Sequence, residues 1–156
     1  SWEKQLTGIL SIKFNKSENN FLVITSKSVS EFSPTDNKLK TLFSGANITC
    51  ASPAKAGEKI VIGTNEGYLW LNDSGVQEGD LVTKVPWPEI TDVEEINGEL
   101  WFGSTWGAFK LNENKKHNYY ASQRWLPDNH VVDVAPGPEG SVLVLTKTGL
   151  GQICFK

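Results

Sequence analysis

The feature that most constrains this chain is a short motif that returns four times at nearly constant spacing. It reads Ile24-Thr25-Ser26-Lys27-Ser28-Val29, Gly63-Thr64-Asn65-Glu66-Gly67-Tyr68, Gly103-Ser104-Thr105-Trp106-Gly107-Ala108 and Leu145-Thr146-Lys147-Thr148-Gly149-Leu150. The first positions, 24, 63, 103 and 145, are separated by 39, 40 and 42 residues. A period near 40 filled with short strands is the mark of a β-propeller, in which each repeat is a sheet that buries its faces only by stacking on its neighbours.

The residues around the motif supply the other strands of each repeat. First strands are expected at Ile9-Leu10-Ser11-Ile12, Ile48-Thr49-Cys50-Ala51, Ile90-Thr91-Asp92-Val93 and Val131-Val132-Asp133-Val134, short β-branched runs suited to burial on both faces. Second strands cover 21–25, 59–64, 99–104 and 141–146, and third strands end at Phe32, Leu71, Leu111 and Ile153. Asn97-Gly98, between Glu95-Ile96 and Glu99-Leu100, is the strongest hairpin signal, because a type I′ turn needs positive φ at both central residues. Gly67, Gly107 and Gly149 are expected to take left-handed turn conformations, with Ser28 in their place in the first repeat. Fourth strands are expected at 39–43, 81–85 and 117–121, and the fourth repeat stops before making one.

The predicted fold is therefore all-β: one propeller domain over residues 1–156, with four blades of four antiparallel strands at about 7–45, 46–87, 88–125 and 126–156. The strand expected at Trp2 to Leu6 would complete the last blade and close the ring. The alternative is that these are four consecutive blades of a larger propeller. The chain begins Ser1-Trp2-Glu3 and contains no methionine, which suggests an upstream segment removed or a piece of something longer.

Glu99-Leu100-Trp101-Phe102-Gly103-Ser104-Thr105-Trp106-Gly107-Ala108-Phe109-Lys110-Leu111-Asn112 resembles the two-component-regulator propeller repeat: a strand ending in Trp-x-Gly-Thr, a turn with Gly-Leu and a closing apolar residue. The stretch 59–72 is similar, while the first and fourth repeats are degenerate. The resemblance implies an extracytoplasmic sensor region that recognises ligands, often glycans, and it implies no catalytic residue; no cofactor or metal is expected either.

Composition narrows the partners. Hydrophobic residues make up 38% of the 156 and charged residues 21%, a globular balance with no apolar run long enough for a membrane span. A net charge of -3 with scattered basic residues speaks against nucleic acid. Cys50 and Cys154 fall on different strands of different repeats, so a pairing between them is not expected; Cys50 reads as a buried thiol, and Cys154 could bridge to a partner segment. Asn15, Asn47 and Asn72 head N-x-Ser/Thr sequons, as in a secreted glycoprotein.

Aligning the repeats sorts the loops onto two faces. One collects Asn65, Glu66, Trp87, Pro88, Glu89, Thr105, Trp106, Trp125, Asp128, Asn129 and His130; the other carries charged turns such as Lys16, Glu18, Lys115 and Lys116, with the Asn15 and Asn72 sequons. Trp87, Trp106 and Trp125 beside Asn65, Glu66, Asp128 and His130 suit a sugar, whose apolar ring face stacks on aromatics while its hydroxyls meet polar groups. The competing reading packs each tryptophan between blades. Asp92 and Asp133 occupy one position in adjacent inner strands, where they either face a ligand or act as acid and base, or accept hydrogen bonds that pin their blades. Arg124, the single arginine, is placed to stack on Trp125. The favoured function is a secreted or extracytoplasmic propeller binding a glycan, another small ligand or a protein. The alternatives are a structural part of a larger propeller, including self-association that completes the ring, and a polysaccharide-acting enzyme at the channel mouth.

Overall fold

A computed structural model describes residues 6–54, 60–72 and 81–155. The first antiparallel sheet is built in chain order from β1 (Ile9–Asn15), β2 (Asn20–Thr25), β3 (Ser28–Ser33) and β4 (Lys38–Ser44). The second contains β5 (Ile48–Pro53), β6 (Ile60–Thr64) and β7 (Gly67–Leu71), and the third β8 (Ile90–Ile96), β9 (Glu99–Ser104), β10 (Gly107–Leu111) and β11 (His117–Tyr120). The fourth contains β12 (Val131–Pro136), β13 (Val142–Thr146) and β14 (Leu150–Ile153). The first strands β1, β5, β8 and β12 neighbour one another in sequence and form the inner row. Among the described residues no helix is long and apolar enough to cross a membrane.

Three apolar seams join the four sheets, as the repeat period requires. Leu22, Ile24 and Val29 of the first sheet pack on Ile48, Ala51, Ile60 and Ile62 of the second. Val61 and Tyr68 of the second then meet Ile90, Val93 and Phe102 of the third, and Trp101 and Ala108 of the third meet Val131, Val134 and Val144 of the fourth. Each sheet is thus apolar on both sides, because alternate residues along every strand face opposite neighbours. Glycine enters the motif at the closest approaches: a Cβ on Gly63 would lie 2.7 Å from Cγ2 of Ile90, and one on Gly103 would lie 2.6 Å from Cγ1 of Val131.

The second motif position explains the turns. Thr64 Oγ1 accepts the Glu66 amide at 3.1 Å and donates to the Gly67 carbonyl at 3.0 Å. Ser104 Oγ does the same with the Trp106 amide at 3.1 Å and the Gly107 carbonyl at 2.7 Å. Thr25 takes the Lys27 and Ser28 amides, and Thr146 makes both bonds to Gly149. One hydroxyl per repeat therefore clasps the turn between second and third strands, satisfying backbone groups that the ladder leaves open.

Several expectations are corrected. The strand expected over 81–85 is reduced to a single bridge between Tyr68 and Val82, whose two mutual hydrogen bonds measure 3.2 and 2.7 Å. Pro86 lacks an amide donor and Pro88 follows two residues later, so the segment cannot continue the ladder beyond Val85. In the strand expected over Trp2 to Leu6, residues 2–5 lie outside the described residues, and Leu6 is not in a strand. Gly67 and Gly107 do have positive φ, 136° and 153°, whereas Gly149 does not. The fourth turn is built differently, with both Thr146 bonds falling on Gly149 itself. Asn97 and Gly98, with φ of 53° and 79°, make the hairpin expected of them.

A Cβ on Gly67 would fall 2.1 Å from the Val82 carbonyl oxygen, whereas one on Gly149 meets only Pro127 at 3.2 Å. Gly67→Ala is expected to cost about 3 kcal/mol in urea unfolding and Gly149→Ala less than about 1 kcal/mol.

Candidate functional site

All four inner strands share an irregularity that positions the residue after it. The pairing register slips between Ile9 and Ser11, Ile48 and Cys50, Ile90 and Asp92, and Val131 and Asp133. Such a bulge bends the strand and re-aims the residue after it. In the third and fourth sheets that residue is Asp92 and Asp133; in the second it is Cys50.

Asp92 is buried and holds two sheets together. Its Oδ2 accepts the Val134 amide of β12 at 2.9 Å, and its Oδ1 accepts Lys13 Nζ of β1 at 3.3 Å. Lys13 also donates to Glu94 Oε2 at 3.0 Å and to the Val93 carbonyl at 2.5 Å. A single ammonium on the first sheet thus reaches the third. Burial works against its charge, but Asp92 and Glu94 outweigh that and hold its pKa above the usual lysine value. Burial, with the Asp92 charge added, pushes the Cys50 thiol up to about 12, which leaves it protonated and unreactive.

Asp133 is exposed, and partial desolvation together with its hydrogen bond to Asp92 raises its pKa to about 6. The two carboxylates therefore play unequal parts: Asp92 is a buried structural acceptor, and Asp133 is the one open to solvent. Lys13 was missed in the sequence reading. The signal available was its place two residues after Ser11 in a strand of Ile12 and Phe14, at a register position filled elsewhere by Ser52, Glu94 and Ala135.

The aromatic residues divide into two groups. Trp106 is 61% exposed at the tip of the turn that Ser104 clasps. Beside it Thr105 Oγ1 donates to Glu89 Oε2 at 2.7 Å and the Thr105 amide bonds the Glu89 carbonyl at 3.3 Å, tying the turn to the link after Trp87. Trp87 is half-buried: its ring lies over Gly107 and meets Tyr119 edge-on at 5.8 Å. It is packed against the blade rather than a free platform. Trp125 forms the second group, exposed, with the Arg124 guanidinium 5.2 Å above its ring and Tyr120 edge-on at 5.2 Å.

The polar residues expected nearby are distributed along the same loops. Asn65 and Glu66 are exposed on the turn of the second sheet equivalent to that of Trp106. Asp128 Oδ1 accepts the His130 amide at 3.1 Å, and the His130 carbonyl accepts the Lys147 amide, so this link is fastened to the turn of the fourth sheet. A cavity of about 830 Å³ opens instead on the opposite side, between the first and second sheets, lined by Lys16, Glu18, Glu31, Lys40, Ser52 and Glu94 among others. None of the described tryptophans borders it. Of the sequon residues, Asn47 and Asn72 are exposed, while Asn15 is buried with its Oδ1 accepting Ser17 Oγ at 2.8 Å. Among the described residues no cluster of three or more His, Cys, Asp or Glu is placed to hold a metal.

Asp92→Ala would orphan the Val134 amide and strip Lys13 of a partner, and a loss of about 3 kcal/mol is expected in chemical denaturation. Asp133 has a raised folded-state pKa, so its contribution is greatest in acid and is lost as pH rises through about 6. Because the group is open to solvent, the decline should be no more than about 1 kcal/mol, and Asp133→Asn should flatten the wild-type stability profile between about pH 4 and 7.

Neither a protein-family model nor a curated protein matches this sequence. Solved structures do match in fold. The extracellular domain of a protein described as a hybrid two-component system from B. thetaiotaomicron superposes with a TM-score of 0.74 at 16% identity, over 95% of this chain and 21% of that one. A catalytically inactive virginiamycin B lyase from Staphylococcus aureus, solved with quinupristin, gives 0.69 at 14% identity over 99% of this chain and 59% of the lyase. An auxiliary nutrient binding protein from Bacteroides thetaiotaomicron gives 0.65 at 14% identity over 89% of this chain and 36% of that one. The chain thus spans about a fifth of the regulator domain's length and three-fifths of the lyase's. The four sheets are blades of a β-propeller, the fold shared with those solved structures.

Proposed function

We propose that this propeller is an extracytoplasmic ligand-binding module that takes a glycan on the loop face of its third blade. The observation that carries the reading is Trp106, an indole held out to solvent on a turn fixed at both ends by Ser104 and Glu89. A side chain whose backbone is already rigid loses little further freedom when a ring stacks on it, so the contact is inexpensive in entropy. Glu89 and Thr105 lie at its rim as hydrogen-bonding groups, and Trp125 with Arg124 offers a second stacking surface on the same side. Asn65, Glu66, Asp128 and His130 are the polar groups of the adjoining loops, and Asp133, with Asp92 behind it, is the acidic group at the channel. The fold likeness to extracellular domains and to a nutrient-binding protein supports both the location and the binding role. Asn47 and Asn72 are the sequons presented for modification in such a compartment.

Screening on a glycan array followed by titration calorimetry tests the reading. A soluble oligosaccharide should bind, and Trp106→Ala should weaken it at least about tenfold, the loss of one stacking contact worth 1–2 kcal/mol, with circular dichroism unchanged. Absence of binding to every glycan presented, or an unaltered affinity in Trp106→Ala, would overturn it.

A further inference from the structure

Three aromatic residues of the third blade stand at places where the fold itself needs none. Repeat spacing and strand register match Trp106, Trp87 and Tyr119 to Lys27, Gly45 and Thr41 of the first blade, which has the same four-stranded sheet and the same clasped turn. A blade is thus laid down without a ring at any of the three places. Trp106 is 61% exposed and Tyr119 66%, so burial does not account for either ring. Tyr119 was missed in the sequence reading because a tyrosine in an outer strand reads as an ordinary β-former.

The three residues also converge on one glycine. A Cβ on Gly107 would lie 2.7 Å from Cζ3 of Trp87 and 2.8 Å from the Tyr120 carbonyl oxygen. Trp106 immediately precedes Gly107 and Tyr119 immediately precedes Tyr120, so the turn tip and the outer strand meet there. The Tyr119 ring meets that of Trp87 edge-on, with 5.8 Å between centroids and 82° between planes. Chain geometry then keeps the Trp106 Cα within about 16 Å of the Tyr119 ring. Trp87 is itself packed into the apolar seam between the second and third blades, so the exposed tyrosine ring rests on an anchored neighbour.

We infer, resting on the glycan reading above, that Tyr119 is a second stacking residue of the same site and that the ligand is a linear oligosaccharide running from the Trp106 turn toward the outer strand, not a single sugar. A pyranose stacks on one aromatic ring at a time, so two exposed rings this close on one blade are used together only by a chain of several units. A ring already braced by Trp87 loses little further freedom when a sugar stacks on it. Its phenol hydroxyl stays at the edge of the contact, where a sugar hydroxyl can meet it.

The test is titration calorimetry of the 156-residue chain with mono-, di-, tri- and tetrasaccharides of the cellulose, xylan, mannan and starch series. In at least one series affinity is expected to rise at least about tenfold from monosaccharide to tetrasaccharide, the worth of one added stacking contact. Tyr119→Ala is expected to remove most of that rise while monosaccharide affinity and circular dichroism stay unchanged, and Tyr119→Phe to keep it; Trp106→Ala weakens every length. Binding that is independent of chain length, or a rise that survives Tyr119→Ala, overturns the inference and leaves the glycan reading standing. So does a Tyr119→Ala loss that is equal at every length, which marks a structural role. No binding in any series overturns the inference too, and the glycan array then decides whether the glycan reading falls with it.

Discussion

Everything in this molecule follows from the fact that its sheets are apolar on both sides. A sheet with one polar face can end a structure, but a sheet whose central strand Ile60–Thr64 is buried at every position needs cover above and below. The consequence is a stack in which each blade is stabilised by the next, and the repeat period is the length of chain needed to lay down one sheet and return to the inner row. The glycines at 63 and 103 belong to the same constraint, since they let the following blade approach until Ile90 and Val131 occupy the space of the missing side chains. In the first repeat the position holds Ile24, which is buried in the same cluster as Ile48 of the next blade.

The loops that carry the candidate site inherit their rigidity from that stack. The hydroxyl at motif position two clasps its turn in all four blades, so what varies between blades is the tip alone: Lys27, Glu66, Trp106 and Thr148 stand at matching places. A constant scaffold with variable tips is a common arrangement for recognition surfaces, because binding residues are then positioned without cost to the core. The inner row obeys a different rule. Its bulges re-aim one residue per blade, Ser11, Cys50, Asp92 and Asp133, and where those residues are acids the protein holds them by unequal means, Asp92 by an amide and an ammonium and Asp133 by its neighbour.

Much of this was legible in the sequence, and the exceptions have physical reasons. The first, second and third strands, the Asn97-Gly98 hairpin and the turn glycines at 67 and 107 are local signals, written in residues adjacent to the structure they produce. The fourth strand of the second blade was not legible, because an apolar stretch ahead of Pro86 and Pro88 reads as an edge strand until one knows that only Val82 finds a partner. Trp87 and Trp106 look alike as loop tryptophans; one lies over Gly107 and the other over solvent, a difference made by a contact between chain segments twenty residues apart. Lys13 was invisible for the same reason at greater range, since its partners are about eighty residues away on a sheet that does not adjoin its own.

By itself the sequence determined the period, the hand-off from strand to turn in each repeat and the two-sided hydrophobicity, because these depend on spacing and residue type within a few positions. Only the tertiary structure decided which aromatic faces outward and which of two equivalent aspartates is a strut. Those outcomes depend on which residues distant in the chain become neighbours, and the free energy of burial or of a buried charge belongs to the assembled neighbourhood rather than to any residue alone.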